Sequence, residues 1–546
     1  MALTPIARFD VVPRQRLEAG TTFNFGVVAF SKAGIANVTF TITPAGGTYQ
    51  SEATVVTVVT SMTLNSRVDV WEYWTPIAAS DFSADGSFTV GAVVTGDDAG
   101  TRDLGTITMF ANPNGTLAYA EAWVTAAGND GTGEANNESL PFATIRAATN
   151  AAQTANSGES GGNIIHIGEG THIIATSSWT ITTTSEWLVF KAADGATKAN
   201  VKLQTGKWLS TSYLRCVGLQ LESAGRQLEC FDASTTNIWL DDCNMIGSSR
   251  LLDFSSPLTW DTHPIYAVTN CYAYDSRYAF FFATLARGCE SYYTSDDAFV
   301  NVPCIINCVA HGLDHEGSED EYHSDCMQWH SGPYDNRICY GFIGYDSKWQ
   351  GIYIRATTDG EGYLGSNLAL VNCLLYVTDT VETVFSIGAA DIPDTWEHFL
   401  IWNCTFTGRS STMYANNPFT NSSMIGNVYD DYRTAGDDPD PRFAVGNEFG
   451  NEALENHFVD KIYVSAVWAD SDAAGSVSEG DYKLDLTTPG GVLFGRPASD
   501  SPLLDRFASK VPVDVYNRQR GATSDAGAVE YLEDTGIWTQ LVMVLA

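Results

Sequence analysis

Basic side chains are scarce in this chain: 29 Lys and Arg stand against 65 Asp and Glu, a net charge of −36. Such a surface repels nucleic acid and anionic membranes at long range, so neither is expected as a partner. A polyanionic ligand would need a local basic patch or a bridging cation. Cys-x-x-Cys pairs are missing, and Cys304 with Cys308 is a weak metal signal without a matching second pair. No run of 18 apolar residues offers a membrane span, and the tail "IWTQLVMVLA" (537–546) is about half the length required. That tail reads as a terminal strand or a packing contact. The start, "MALTPIARFDVVPRQRL", lacks the basic, apolar and small-residue regions of a secretory signal, which leads us to expect assembly in a cytoplasm. What the chain does have is apolar mass: 44% hydrophobic and 12% aromatic residues over 546 positions, ample for a sizeable core.

One phrase recurs. "IWNCTFTG" (401–408) is echoed by "LDDCNMIG" (240–247), "VTNCYAY" (268–274), "IINCVAH" (305–311) and "LVNCLLYV" (370–377), with "RICYGFIG" (337–344) as a looser copy. With cysteine as the marker, the copies fall at 243, 271, 308, 339, 373 and 404, and Cys289 divides the longest gap. Short β-rich segments repeating at a loose period of this size, with Gly/Asn/Asp turns and no helical periodicity between them, signal a solenoid. In a parallel β-helix equivalent side chains stack in columns. A small Cys then recurs inside, and an Asn recurs at the bend, where it tolerates left-handed geometry. The cysteines are therefore expected as buried reduced thiols. Disulfide frameworks belong mainly to small secreted domains.

Ahead of the repeats, "NVTFTI" (37–42), "VDVWEYW" (68–74) and "SFTVGAVV" (87–94) alternate with period two between turn residues, the pattern of an antiparallel sandwich similar to an immunoglobulin-like module. The expected organisation is an immunoglobulin-like β-sandwich over 1–115, a hinge at "ANPNGT" (111–116), a parallel β-helix over 116–433 and an irregular segment over 434–546. The stretch "NESLPFATIRAATNAAQTANSG" (137–158) reads as an amphipathic helix beginning near Ser139-Leu140-Pro141. With Phe142, Ile145 and Ala148 on one face, it would cap the N-terminal strand edges near 140–155.

At "AWVTAAGNDGTGEANNESLPFATIRAATNAA" followed by "NIIHIGEGTH", the chain resembles right-handed parallel β-helix proteins of the pectate-lyase-like superfamily. "TSDDAFVNVPCIINCVAHGLDHEG", "HSDCMQWHS" and "NRICYGFIGYDSKWQGIYIR" are similar to β-helix proteins of cyanophages and marine bacteria. The resemblance spans roughly 118–533 and specifies the fold much better than the activity.

Candidate chemistry is densest in "HGLDHEGSEDEYHSDCMQWHSGPYDNR" (311–337), which reads as an insertion between two coils holding four of the nine histidines. Alternation places His323 and Asp325 on one strand face and Gln328 with His330 on the other, so His323 and Asp325 are expected as a surface acid–base couple. A polar stripe that merely stabilises a turn is the competing reading. "YDSKWQGIYIR" (345–355) adds Lys348, Trp349, Tyr353 and Arg355, cations beside aromatics that suit a sugar-binding groove with Gln328. Uronate lyases of the wider superfamily use a Lys or Arg base with Ca2+ held by carboxylates, so Ca2+ is the cofactor the resemblance implies, with no ligand set assigned. Polygalacturonase-like hydrolases use several Asp residues. "TSDDAF" offers Asp296-Asp297 without the family's Gly-His-Gly or Arg-Ile-Lys companions, and adjacent residues of a strand point to opposite faces.

The resemblance implies a tailspike-like virion protein that attaches to a host surface polysaccharide, with or without cleavage, and docks through residues 1–115 to other tail proteins. The alternatives are an extracellular bacterial polysaccharide lyase or hydrolase and a purely structural virion protein. A homotrimer is expected, because packing three coil columns side by side buries apolar surface. Light scattering at micromolar concentration should return the mass of three chains; a one-chain mass would count against the trimer.

Overall fold

The computed structural model describes residues 2–156, 162–174, 179–181, 186–204, 209–211, 213–222, 237–247, 266–313, 324–329, 335–347, 349–354, 366–377, 385–387, 396–413, 419–425, 427–434, 511–521 and 528–529. From Ala120 onward all the described strands but two join two long sheets, one of 13 and one of 16 strands, and Trp179–Ile181 pairs with Leu209–Thr211 in a small sheet of their own; all these pairings are parallel. The chain visits them in rotation. A strand of the first sheet, such as Cys304–Ile306, is followed after two residues by one of the second, Val309–Leu313, and then by a third run, Asp325–Trp329. The third run joins the second sheet through the long strand Thr405–Met413. This all-β arrangement of stacked parallel sheets is consistent with a β-helix.

The recurring phrase has a definite place in it. Between the first and second strands of each coil one residue adopts a left-handed backbone: Asp242, Asn270, Gly288, Asn307, Gly341, Asn372 and Asn403, with φ between 49° and 70°. Asn, Asp and Gly are the residue types that accept this conformation at least cost. The next residue turns its side chain inward, and there Cys243, Cys271, Cys289, Cys308, Phe342, Cys373 and Cys404 form a buried column. Each is fastened to the next coil by backbone bonds, as from Tyr272 N to Cys243 O and from Glu290 N to Cys271 O, both 2.9 Å.

One marker was misplaced. Cys339 lies within the strand Asp335–Tyr340, in register with Ile305 and Leu370, and the corner of its coil is Gly341-Phe342. Cys289 is a full corner, so the chain from Cys271 through Cys289 to Cys308 makes two short coils. All ten described cysteines are buried, and no disulfide joins them. Burial pushes the thiols of Cys243, Cys271 and Cys289 well above their usual value, so they are packing groups and poor nucleophiles.

The capping helix runs over Ile145–Ala155 and starts later than the sequence suggests. Thr144 is its N-cap, accepting from Ala147 N at 3.2 Å, and Asp130 in turn holds Thr144. Pro141 and Phe142 belong to the approach, where Phe142 bonds back to Trp123. The expected face is the buried one: Phe142, Ile145 and Ala148 close the core above the strands Ala120–Val124 and Asn163–Ile167.

Residues 6–112 form two sheets of four and five strands around their own core of Phe25, Val27, Phe40, Ile77, Phe88 and Val90. The three alternating stretches fall in the strands Ile35–Pro44, Val70–Ala78 and Gly86–Gly96, except that Val68-Asp69 of the second belong to the turn before its strand. The hinge is absent. Asn112 is buried and bonds both the backbone N–H and the carbonyl of Leu117, while Asp85 accepts from Asn114 N and Thr116 N, so 111–116 is a pinned turn.

The outer side of the first long sheet is apolar too, and the sandwich covers it. Ile6, Val28, Phe30 and Val70 pack on Trp239, Leu285, Ile306, Tyr340, Val371 and Trp402. Polar groups fix the register of this joint. Asn336 exchanges two 2.7 Å bonds with the Ala7 backbone, Trp187 donates to Pro13 O, and the Arg287 guanidinium pairs with Asp10, both side chains almost wholly buried. Glu72 beside them is held well above the usual carboxylate range by burial and by the Asp10 charge. The segment 511–521 crosses the same seam: Asn372 donates to Val513 O, and Asn517 donates to Asp69 O of the sandwich.

Removing one partner of a buried ion pair leaves the other charge uncompensated. Arg287→Met should therefore lower the unfolding free energy by about 3–5 kcal/mol, read as an earlier denaturant midpoint. An unchanged midpoint would mean that the joint does not depend on the pair.

Candidate functional site

Where the chain leaves the second strand of a coil for the third run, four coils in succession bring polar side chains to one corner. They supply Ser276-Arg277-Tyr278, Ser295-Asp296-Asp297, Ser324-Asp325 and Trp349-Gln350. The backbone stacks them: Asp296 N donates to Arg277 O at 3.0 Å and Ala298 N to Asp325 O at 2.9 Å, and Asp325 is in register with Gln350. Three carboxyl groups from two neighbouring coils are thereby gathered. Asp296 is 4%, Asp297 3% and Asp325 0% exposed.

Their partners differ. Asp296 Oδ2 accepts from Arg277 Nε at 3.1 Å, and the Tyr278 hydroxyl also bonds Asp296. Asp297 Oδ1 accepts the Asp325 backbone N–H at 3.0 Å, and Gln328 Nε2 reaches Asp325 Oδ2 at 3.3 Å. Burial, then the charges of Asp325 and Asp296, hold the Asp297 carboxyl well above its ordinary value, against the smaller pull of the Asp325 N–H and Arg277. Like charges this close do not all ionise together. The corner thus holds a carboxyl that retains its proton to higher pH than an ordinary Asp, beside two more buried carboxyl groups, a setting that acid–base chemistry can use.

Of the residues expected from the sequence, His323, Lys348 and Arg355 lie outside the described residues. Asp325 is placed, but buried at the corner rather than on the coil's surface. Gln328 and Tyr353, 25 positions apart, are register partners on adjacent strands, both half-buried on the third run. Trp349 stands half-buried at the corner next to Gln350. The expected insertion is in part ordinary coil: His311 belongs to the strand Val309–Leu313, and Asp325–Trp329 and Asp335–Tyr340 are strands as well. His311 bonds Glu290 at 2.8 Å and stacks between Tyr292 and Tyr345, ring centroids 4.6 and 4.8 Å away, on the second sheet and apart from the acid corner.

The sequence argument passed over Asp296 and Asp297 because adjacent strand residues diverge. They lie outside any strand, on the turn before Phe299–Val300, which lets both be buried together. Aligning the coils on Cys289 and Cys308 does not bring them to Asp325 either, which lies 17 residues after its cysteine where Asp297 lies 8 after its own.

Among the described residues no group of three or more His, Cys, Asp or Glu is arranged to hold a metal ion, so no step is assigned to Ca2+. Compared with family models, curated proteins and solved structures, the chain matches none.

A carboxyl whose folded pKa is raised favours the fold at low pH, and that contribution is lost as pH rises through the folded value. Melting temperatures of the wild type should accordingly fall with pH across that range, and Asp297→Asn, which keeps an acceptor for the Asp325 N–H, should flatten the slope. Parallel pH profiles for the two proteins would refute the assignment.

Proposed function

We propose that this chain is a tailspike-like virion protein that binds a host surface polysaccharide along the third run of its coils and cleaves it at the Asp296–Asp297–Asp325 corner. The observation that carries the reading is that corner: three buried carboxyl groups from adjacent coils, gathered beside Arg277 and Gln328, with the Asp297 carboxyl held well above its ordinary range. Hydrolysis of a glycosidic bond needs an acid to protonate the departing oxygen and a base to take a proton from the attacking water. In this reading Asp297 is the acid, and Asp325, with His323 two residues before it, is the base. Arg277 and Tyr278 keep Asp296 in place, and Gln328, Trp349 and Tyr353 contact sugar, joined by Lys348 and Arg355 if the glycan is anionic.

The coils are read as a right-handed β-helix of the pectate-lyase-like type and the N-terminal sandwich as immunoglobulin-like. Ten described cysteines buried without a disulfide suit a protein assembled in a reducing cytoplasm before it joins a virion. Homotrimer formation and attachment to other tail proteins belong to the same proposal. The part of residues 1–115 free to dock is the side turned away from the coils, since the opposite side is spent on the joint.

The test is release of reducing ends from host surface polysaccharide. Asp297→Asn and Asp325→Asn should each slow it by about 10²–10⁴-fold while retention on the immobilised glycan persists. If wild type binds but shortens no chain, the protein is an adhesin and the corner is structural.

A further inference from the structure

Two aromatic residues, Phe282 and Tyr293, take a left-handed backbone that the described residues of the coils otherwise give to Asn, Asp or Gly, His398 excepted. Phe282 has φ 56°, and its counterpart one coil on is Asn301 at φ 53°. The equivalence is set by the backbone, for Phe281 is in register with Val300, and Phe282 N bonds Val300 O just as Asn301 N bonds Gln328 O. Tyr293, at φ 60°, stands in a column with Asp275, Gly312 and Asp346. A bulky side chain rarely takes a left-handed backbone, and where one does, the strain tends to mark a site of use. Both residues belong to the pair of short coils that carries Arg277, Tyr278, Asp296 and Asp297.

Phe282 is half-buried, packed against the margin of the core with part of its ring left exposed. Its ring meets Phe281 edge-on at 4.3 Å, and Phe281 meets Tyr278 at 5.3 Å. The Arg277 guanidinium lies over the Tyr278 ring at 5.1 Å, and the Tyr278 hydroxyl is bonded to Asp296. A row of three half-buried rings thus leads from the left-handed Phe282 directly to the acid corner. Aromatic faces beside a few fixed polar groups are what a sugar ring requires, its C–H face against the ring and its hydroxyls against the polar groups.

We propose that Tyr278, Phe281 and Phe282 form a stacking subsite for a pyranose ring of the polysaccharide, one coil to the N-terminal side of the acid corner. The proposal rests on the glycan reading above and adds the residues that hold the chain in place. Phe282 is a binding residue, and no role in bond cleavage is assigned to it.

Phe282→Asn separates this subsite from a packing role, because Asn suits the left-handed backbone and the fold no longer has to accommodate a strained Phe. Its melting temperature should equal or exceed that of the wild type. In affinity electrophoresis through gels containing alginate, polygalacturonate, xylan or dextran, it should bind the retarding polysaccharide at least tenfold more weakly, and Phe281→Ala should weaken the same binding. An earlier melt for Phe282→Asn would make the ring structural and overturn the subsite, as would retardation equal to wild type. Retardation of wild type by none of the four would count against the glycan reading and the subsite together. If Phe282→Asn loses retardation while Asp297→Asn still cleaves at the wild-type rate, the subsite stands and the acid-corner assignment fails.

Discussion

Everything in the stack depends on turning the backbone from one sheet to the next within a single residue. That residue must be left-handed, which restricts it to Asn, Asp or Gly at nearly every coil, and it aims the following side chain at the axis. A small, apolar group fits there, hence the cysteines. Once the corner is set, the two flanking strands have no freedom of register, because a one-residue slip would turn the whole inward column outward. The corner amides also serve beyond their own coil: Asn307 donates to Asp69 O of the sandwich and Asn372 to Val513 O of the C-terminal segment.

This constraint explains what could be read in advance. The phrase Asn-Cys announces a corner because two adjacent requirements, backbone and volume, coincide in two letters. Cys339 was misleading because its coil meets the same requirements with Gly341-Phe342, leaving a cysteine nearby in a strand column where any apolar residue serves. Alternation revealed the sandwich strands, since each has one wet and one dry face. The joint was illegible for a related reason. Ile6, Val28 and Phe30 look like ordinary strand residues, and nothing local tells whether an apolar side chain faces its own core or a neighbour's.

The site was half legible. Gln328 and Tyr353 lie 25 positions apart on consecutive coils, close enough to one repeat for a shared groove to be expected. Asp297 and Asp325 are separated by 28 positions that include 314–323, and a coil of irregular length hides which residues share a corner. In a chain with net charge −36, an acid cluster also carries little signal by composition. Burial sets this one apart: Asp296 is matched by Arg277, whereas Asp297 meets mainly like charge and a backbone N–H.

The sandwich overlaps the flank of the first sheet from Trp187 to Trp402 and does not sit on its end. In engineering terms this is a lap joint. A pull along the coil axis would load the overlap in shear, sharing force among many side-chain contacts, the Asp10–Arg287 pair and the Asn336–Ala7 bonds at once. A pull across the axis would peel these contacts apart one after another. The molecule should therefore resist axial load far better than lateral load, a mechanical anisotropy built in by the choice of flank over end.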